Sequence, residues 1–304
     1  MPTRTFLPEY RQQLEGLLWS LWSELGVPGW ERHHQECWID PDALLLFTAT
    51  IEPIDPRLRE QAIAWCHGYQ RYLSTTRIKS QLRVYQPDGE TSQYQPQLTR
   101  FLATLPAGRS LNLDSSIQPY PFDERQSLEP KVLNRPALLS LRLRSLLGVT
   151  AKAEILRIFF AQPDESSLTA ADLVNEGIGY TKRAVRDALE DLRAGGFVAV
   201  EISGNANKYR FLAEHTFGGF FGLGPLRFPR WQPLFAVLRG ILDLTETIDN
   251  FRPATRPIEI RRALLALRPE ISRAGLQTPS VEPGPEGVEQ LVTWVGRLLD
   301  ALME

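Results

Sequence analysis

Hydrophobic positions along most of this chain recur at the spacing of an α-helix. Between residues 10 and 25, leucines and Trp22 stand three and four positions apart, which predicts an amphipathic helix that ends near Gly26. The same spacing predicts three helices near the C-terminus, at about 231–250, 257–274 and 285–303. Two short stretches, 197–202 and 208–212, alternate with the period of a β-strand. The pattern therefore predicts a mainly α protein with small β-hairpins.

Changes in composition divide the chain into four regions. Prolines, glycines, serines and asparagines interrupt one stretch near the middle, so this stretch is predicted to connect two domains with one or two short elements. A domain with both helical and strand-like patterns follows it. The predicted regions are a helical domain at 1–96, the connector at 97–145, the mixed domain at 146–214 and a helical region at 215–304.

Local signals in the mixed domain set the order of its elements. Thr150 is placed to cap a first helix, and Thr169 with Asp172 resembles a capping box at the start of a short second helix. Thr181 is placed to cap a third helix, "KRAVRDALEDLRA", whose apolar positions form one stripe. Two strand-like runs joined by "SGNAN" follow it. The predicted order is helix, short helix, turn, helix and hairpin.

This order, carried by "LTAADLVNEGIGYTKRAVRDALEDLRAGGFV" and "SGNANKYRF", resembles the winged helix-turn-helix domain of MarR- and ArsR-like bacterial regulators. The resemblance covers residues 146–214 and implies a transcriptional regulator that binds duplex DNA as a homodimer. In such a domain the third helix enters the major groove with its N-terminal residues against the bases. The residues that the resemblance places at DNA are Tyr180, Thr181, Lys182, Arg183 and Arg186 in the helix, and Asn205, Asn207, Lys208 and Arg210 in the hairpin.

Charge is the observation that opposes DNA binding. The chain has a formal net charge of −2, and residues 146–214 hold eight Lys and Arg against ten Asp and Glu. Over 131–240 the count becomes fifteen against ten, a net of +5, because basic residues flank the domain. The alternative function is a protein-interaction module, such as an antitoxin-like partner binder with the same fold. The N- or C-terminal helices are expected to form the homodimer contact, because two-fold operators need two reading helices.

A segment of the first region shows a similar pattern. When "STTRIKSQL" is laid over "TKRAVRDAL", Ile78 matches Val185 and Leu82 matches Leu189. Residues 82–95 contain a Pro-Asp-Gly turn between two strand-like runs, which predicts a second hairpin. Two interpretations stay open: a second, diverged winged helix at about 38–96, or a helical packing domain. In the first, the DNA-reading residues would be Thr75, Thr76, Arg77 and Lys79.

Cysteines and histidines of the first region do not form a metal motif. Cys37, Cys66, His67 and either His33 or His34 offer the sulfur and nitrogen ligands of a tetrahedral zinc site. However, the close cysteine pairs of such sites are missing, and adjacent residues on a helix point about 100° apart. We therefore predict neither a metal nor a cofactor, and two buried free thiols instead.

Catalysis and membrane insertion are not expected either. The sequence contains no G-x-S-x-G nucleophile motif, and "FGGFFGLGP" lacks the lysine of a phosphate-binding loop. No apolar run approaches the roughly 18 residues of a membrane span. Two cysteines in 304 residues fit a reducing compartment. The sequence thus predicts a cytoplasmic, non-enzymatic protein without a membrane segment.

Overall fold

A computed structural model describes most of the chain. It covers residues 3–29, 34, 36–51, 55–85, 94–106, 108, 111, 113, 116–129, 133–162, 166–204, 206–212, 226–282, 284 and 286–303. The helices are α1 (Thr3–Leu25), α2 (Pro41–Thr50), α3 (Pro56–Gly68), α4 (Thr75–Tyr85), α5 (Gln95–Thr104), α6 (Leu139–Leu147), α7 (Ala151–Phe160), α8 (Ala170–Asn175), α9 (Lys182–Ala194), α10 (Trp231–Thr247), α11 (Arg256–Arg273) and α12 (Glu286–Met303). The strands are β1 (Ser167–Thr169), β2 (Val198–Ser203) and β3 (Ala206–Phe211). The prediction of a mainly α protein with a small β component is confirmed, and no helix in the described ranges is long and apolar enough to cross a bilayer.

Helix α2 lies deep in the molecule because its sequence offers almost no polar face. All ten of its residues are buried. Asp40 caps the first turn by accepting from the backbone amide of Asp42 at 3.1 Å, and Pro41 takes a first-turn position where a missing N–H costs nothing. Helices α1, α4, α5 and α10 contact α2. Phe47 stacks on Phe235 of α10 with ring centroids 4.5 Å apart.

The N-terminal and C-terminal helices share this hydrophobic core. Helix α1 packs on both α10 and α12. Tyr10 of α1 donates its hydroxyl hydrogen to the backbone carbonyl of Leu238 at 2.8 Å. Trp38 donates to the Ser140 hydroxyl at 2.7 Å, which fixes the start of α6 to the same body. Segments far apart in sequence are therefore joined by buried hydrogen bonds as well as by apolar packing.

Residues 151–211 build a small helical layer against a three-stranded sheet. Along the chain the elements run α7, β1, α8, α9, β2 and β3, and the sheet is antiparallel with strand order β1-β3-β2. The capping box expected at α8 is present: the Thr169 amide donates to the Asp172 carboxylate at 2.8 Å, and the Asp172 amide donates to the Thr169 hydroxyl at 3.2 Å. The expected stripe of α9 is buried; its members are Val185, Ala188, Leu189 and Leu192.

The described part of 38–96 is helical, which corrects the prediction of a second hairpin. Residues 82–85 continue α4 instead of starting a strand, because Ile78, Gln81 and Tyr85 are buried at helical spacing. At the other end of the predicted hairpin, residue 95 begins α5. Residues 86–93, where the turn was predicted, lie outside the described residues. The rest of 38–96 that the structure describes contains helices and no strand.

The predicted connector at 97–145 begins and ends inside helices. Residue 97 lies in α5, which packs on α2, and residue 145 lies in α6, which packs on α7. Between them, the described residues include two short 3₁₀ turns, Glu124–Gln126 and Pro136–Leu138. Each end of this segment is therefore fixed to a neighbouring helix.

Candidate nucleic-acid interface

Helix α9 begins on a turn that its glycines make possible. Gly177 and Gly179 have φ angles of 75° and 80°, in the left-handed region that residues with a side chain disfavour. Ile178 between them is fully buried and anchors the turn. Thr181 then caps the helix by accepting from the backbone amide of Ala184 at 3.3 Å. The helix N-terminus, with its partial positive charge, is thereby held at the surface.

Three of the predicted DNA contacts stand together on the exposed face of α9. Lys182, Arg183 and Arg186 are all exposed, and Val185 between them is buried. Within the part of the chain that the structure describes, none of the three forms an ion pair or a side-chain hydrogen bond. Free ammonium and guanidinium groups of this kind bind phosphate or the acceptor atoms of guanine. The structure thus brings these three side chains to one surface.

Acidic residues in the second half of α9 are engaged within the protein. Asp191 binds Lys152 of α7 at 2.7 Å. Glu190 accepts from Arg193 at 2.7 Å and from the Tyr209 hydroxyl at 3.0 Å. Arg193 first and Tyr209 second hold the pKa of Glu190 below its ordinary value. These pairings partly offset the acidic charge of α9, which opposes binding to a polyanion. They also leave Lys182 and Arg183, at the start of the helix, without an acidic partner among the described residues.

A groove of about 430 Å³ lies between α9 and the hairpin. Lys182, Arg186 and Glu190 line it from α9, and Asn207 and Tyr209 line it from β3. The start of α8 also contributes to its lining. The groove therefore combines two cations, a carboxylate and an amide, which are the groups that recognise base edges and phosphates.

The other predicted hairpin residues are divided between the surface and the sheet. Asn207 and Lys208 are exposed, whereas Arg210 is half-buried. Asn205 lies outside the described residues. Lys208 stands opposite Glu201 in the register of β2 and β3, so its charge is partly offset by that neighbour.

The sequence pattern did not predict the exposure of Ile202 near the end of the hairpin. The two-residue period of β2 places Ile202 on the same face as Val198, which is buried. Ile202 is nevertheless 82% exposed. The hairpin therefore presents an apolar side chain beside its polar ones.

Tyr180 differs from its predicted role because its ring is directed into the molecule. The ring is half-buried, and its hydroxyl donates to the backbone carbonyl of Val149 at 3.2 Å. Burial raises the pKa of Tyr180, and a hydrogen bond with Ser74 acts in the opposite direction. Tyr180 thus fixes the turn before α9 to the rest of the protein, and its hydroxyl is not directed outward as a DNA contact would require.

The second predicted reading helix, α4, is only partly exposed. Thr76 and Lys79 are exposed and Thr75 is half-buried. Arg77 is 1% exposed, which corrects its predicted role as a DNA contact. A Cβ atom added to Gly179 would lie 2.8 Å from the Cγ atom of Arg77. The turn that leads into α9 therefore packs on the first turn of α4.

Arg77 belongs to a buried ion cluster that sequence reasoning missed. Arg77 binds Asp42 at 3.0 Å and Glu154 at 3.3 Å, and Arg144 binds the same two carboxylates at 2.6 and 2.7 Å. Because the cluster balances three positive against three negative charges, its burial is compensated. It joins α4, α6 and α7 to the start of α2. The members of the buried ion cluster are Asp40, Asp42, Arg77, Arg144, Glu154 and Arg157.

Several basic residues that flank the mixed domain are not free to bind DNA. Arg144 lies in the buried ion cluster, and Arg239 is 3% exposed and binds two acidic residues of its own helix. Arg230 binds Glu176 at 2.9 Å. The net charge of +5 counted over 131–240 therefore does not lie wholly at the surface. This corrects the expectation that the basic flanks make the domain attractive to DNA.

The histidines and cysteines considered for zinc are occupied in other ways. His34 and His67 share hydrogen bonds with backbone carbonyl oxygens at 2.6 and 2.9 Å. Cys37 and Cys66 are buried free thiols, and His33 lies outside the described residues. In the ranges that the structure covers, no group of three His, Cys, Asp or Glu side chains is arranged to hold a metal ion.

Comparisons of this chain with protein-family models, with curated proteins and with solved structures find no match. Its function is therefore argued from its own residues.

Proposed function

We propose that residues 151–211 form a winged helix-turn-helix that binds duplex DNA, and that the protein is a transcriptional regulator. The order α7, β1, α8, α9, β2, β3 supports this proposal, as does the pairing of β1 with β3 in the sheet. The observation that carries it is the exposed set of Lys182, Arg183 and Arg186, which has no counter-charge bound to it among the described residues. Such a regulator would work in the cytoplasm, where bacterial DNA lies.

In this proposal, the first turns of α9 enter the major groove. Arg183 and Arg186 would bind guanine or phosphate, and Lys182 would bind phosphate. Glu190, which stays ionised in the groove, would accept from the amino group of cytosine. The exposed N-terminus of α9 adds the attraction of its dipole for phosphate. In the hairpin, Asn207 and Lys208 would lie over the DNA backbone, with Ile202 beside them.

The proposal is tested by selecting DNA fragments that the purified full-length protein retains from its source genome. Affinity for a retained fragment should fall steeply between 50 and 200 mM salt. Each phosphate contact makes the negative slope of log K against log salt steeper by about 0.9. Lys182→Ala should make that slope shallower by about 1, because one phosphate contact is lost. Arg186→Ala should weaken DNA binding by about 1–3 kcal/mol.

Arg57→Ala is the control for Arg186→Ala. Arg57 is also an exposed arginine, but it lies on α3 and does not line the groove beside α9. Its removal should change DNA affinity much less than the removal of Arg186. If Lys182→Ala and Arg186→Ala both leave affinity and salt slope unchanged, α9 is not the reading helix.

A protein-interaction module is the second candidate function. The excess of acidic residues in 146–214 and the exposed Ile202 favour it, because neither feature helps to bind a polyanion. Under this function, no duplex fragment would be retained at 50 mM salt. Retention of fragments with a steep salt dependence would exclude it as the main activity of this domain.

A homodimer is proposed because two-fold operators need two reading helices. Ile258 and Leu265 are 58% and 65% exposed and stand seven residues apart on α11, so they share one face where a second copy would pack. The double variant Ile258→Asp, Leu265→Asp should sediment as a monomer. Leu146→Asp, at another exposed apolar position, is the control and should leave the dimer intact. A wild-type protein that sediments as a monomer at 100 µM would refute the dimer.

A further inference from the structure

A second cavity, of about 470 Å³, lies at the end of α8, whereas the groove beside α9 lies at the start of α8. It is bordered by the end of α7, the turn after α8 and the start of α10. Its size falls in the range of about 300–1,000 Å³ that is typical of small-molecule sites. Asn175 and Arg230 are exposed at its edge, whereas Trp38, Arg157 and Trp231 are buried in its wall.

Arg157 lines this cavity and is only partly engaged by other residues. It is 6% exposed, and its Nε atom donates to Glu154 at 3.0 Å. Its guanidinium lies over the ring of Trp38, 4.6 Å from the ring centroid. The two terminal nitrogens make no hydrogen bond to any residue that the structure describes. Neither nitrogen is among the described buried atoms that lack a partner, so both keep access to the cavity, where a ligand could accept from them.

The other two arginines of the buried ion cluster differ from Arg157. Arg77 and Arg144 each use their terminal nitrogens on two or more carboxylates. Burial lowers the pKa of Arg157, and the negative charge of Glu154 compensates only in part. An added negative charge beside the two terminal nitrogens would complete its coordination. The fixed fork of a guanidinium matches the two oxygens of a carboxylate.

The walls beside Arg157 suit a flat apolar group. Trp38 stacks on Phe228 with ring centroids 6.1 Å apart, and Trp231 lines the same cavity. Gln162 and Gln232 supply amide groups at the lining. Aromatic walls with a few convergent polar groups are typical of sites for small organic ligands.

We propose that this cavity binds a small organic carboxylate with a flat apolar body. Its carboxylate would accept hydrogen bonds from both terminal nitrogens of Arg157, and its ring would lie against Trp38 and Phe228. Since the cavity is separate from the exposed cations of α9, this inference does not depend on DNA binding.

Calorimetric titration of the full-length protein tests the site without any DNA. The probes are benzoate, phenylacetate, indole-3-acetate and quinoline-2-carboxylate, each compared with its neutral amide. At least one carboxylate should bind with a Kd of about 1 mM or tighter. Its amide should bind roughly tenfold to a hundredfold more weakly, because a charged hydrogen-bonded pair is lost. If no carboxylate binds at 10 mM, or if the amides bind equally well, the proposal is wrong.

Variants then locate the bound carboxylate. Arg157→Lys keeps the charge but loses the fork, and it should weaken binding at least tenfold, roughly the value of one charged hydrogen bond. Phe228→Ala changes only a half-buried wall and should also weaken binding, so it serves if Arg157→Lys does not fold. Arg262→Lys, at an exposed position of α11, is the control and should bind as the wild type does. Unchanged affinity in a folded Arg157→Lys or Phe228→Ala protein would place the ligand elsewhere and overturn the proposal.

Discussion

Replacing Glu154 with Gln removes one negative charge from the buried ion cluster without changing its shape. Glu154 is 2% exposed and binds Arg144 at 2.7 Å, Arg157 at 3.0 Å and Arg77 at 3.3 Å. The variant leaves three buried arginines facing two carboxylates. Breaking a buried pair by removing one partner costs about 3–5 kcal/mol. Since the Gln side chain keeps one acceptor oxygen, we expect a loss of about 3 kcal/mol in the free energy of unfolding at pH 7.

This loss should depend on pH in a defined direction. Burial alone would raise the pKa of Glu154, but the charges of Arg144, Arg77 and Arg157 outweigh burial and hold it well below 4.5. The folded state therefore binds the proton less readily than the unfolded state. The stability that Glu154 contributes is fully present above pH 4.5 and is lost as the pH falls below that value. The difference between wild type and variant should narrow at acidic pH.

Urea unfolding followed by tryptophan fluorescence, at pH 7 and at pH 4, measures both effects. Glu190→Gln is the control, because Glu190 also binds an arginine but at the surface. An exposed pair contributes at most about 1 kcal/mol. A loss below about 1 kcal/mol for Glu154→Gln at pH 7 would refute the view that the cluster depends on its charge balance. A difference that widens at pH 4 would contradict the direction of the pKa shift.

Two further predictions concern the backbone turn and the thiols. Gly179→Ala should destabilise the protein by about 1–3 kcal/mol more than Gly196→Ala. Both glycines have a positive φ, but only a Cβ atom at Gly179 would meet another residue, Arg77. Equal losses of stability in urea unfolding would rule out this close contact. Burial raises the pKa of Cys37 to about 12 and also raises that of Cys66, so neither thiol should react with Ellman's reagent at pH 8 until urea unfolds the chain. Rapid reaction of the native protein would contradict this.

Much of residues 146–214 was predictable because its signals are local. A capping box joins residues three apart, so Thr169 and Asp172 predict the start of α8 without any tertiary information. The same holds for Thr181 at the start of α9 and for the buried stripe of that helix. Once the stripe is known, helical phase puts Lys182, Arg183 and Arg186 on the other face. This part of the candidate site therefore follows from the sequence.

The roles of the remaining charges depend on contacts between distant segments. Arg144 and Asp42 are 102 residues apart, and Trp38 and Ser140 also 102. The sequence predicted Arg144 to be part of a basic flank and Arg77 to contact DNA. Neither prediction could include Asp42, because this partner lies 102 residues from Arg144 and 35 residues from Arg77. Tyr180 likewise turns inward because the acceptor of its hydroxyl, the Val149 carbonyl, lies 31 residues earlier in the chain.

The sequence by itself determined the helices and the hairpin of the small mixed domain, and which face of α9 is polar. These properties depend on hydrogen bonds and side-chain spacings within a few residues. The sequence did not predict strand β1 (Ser167–Thr169), which forms by pairing with the distant β3. Only the tertiary structure decided which charges are buried, which are exposed, and that Arg157 lines a cavity with two terminal nitrogens that bond to no residue in the described ranges. The physical reason is that burial and charge pairing depend on neighbours brought together by folding, whatever their separation along the chain.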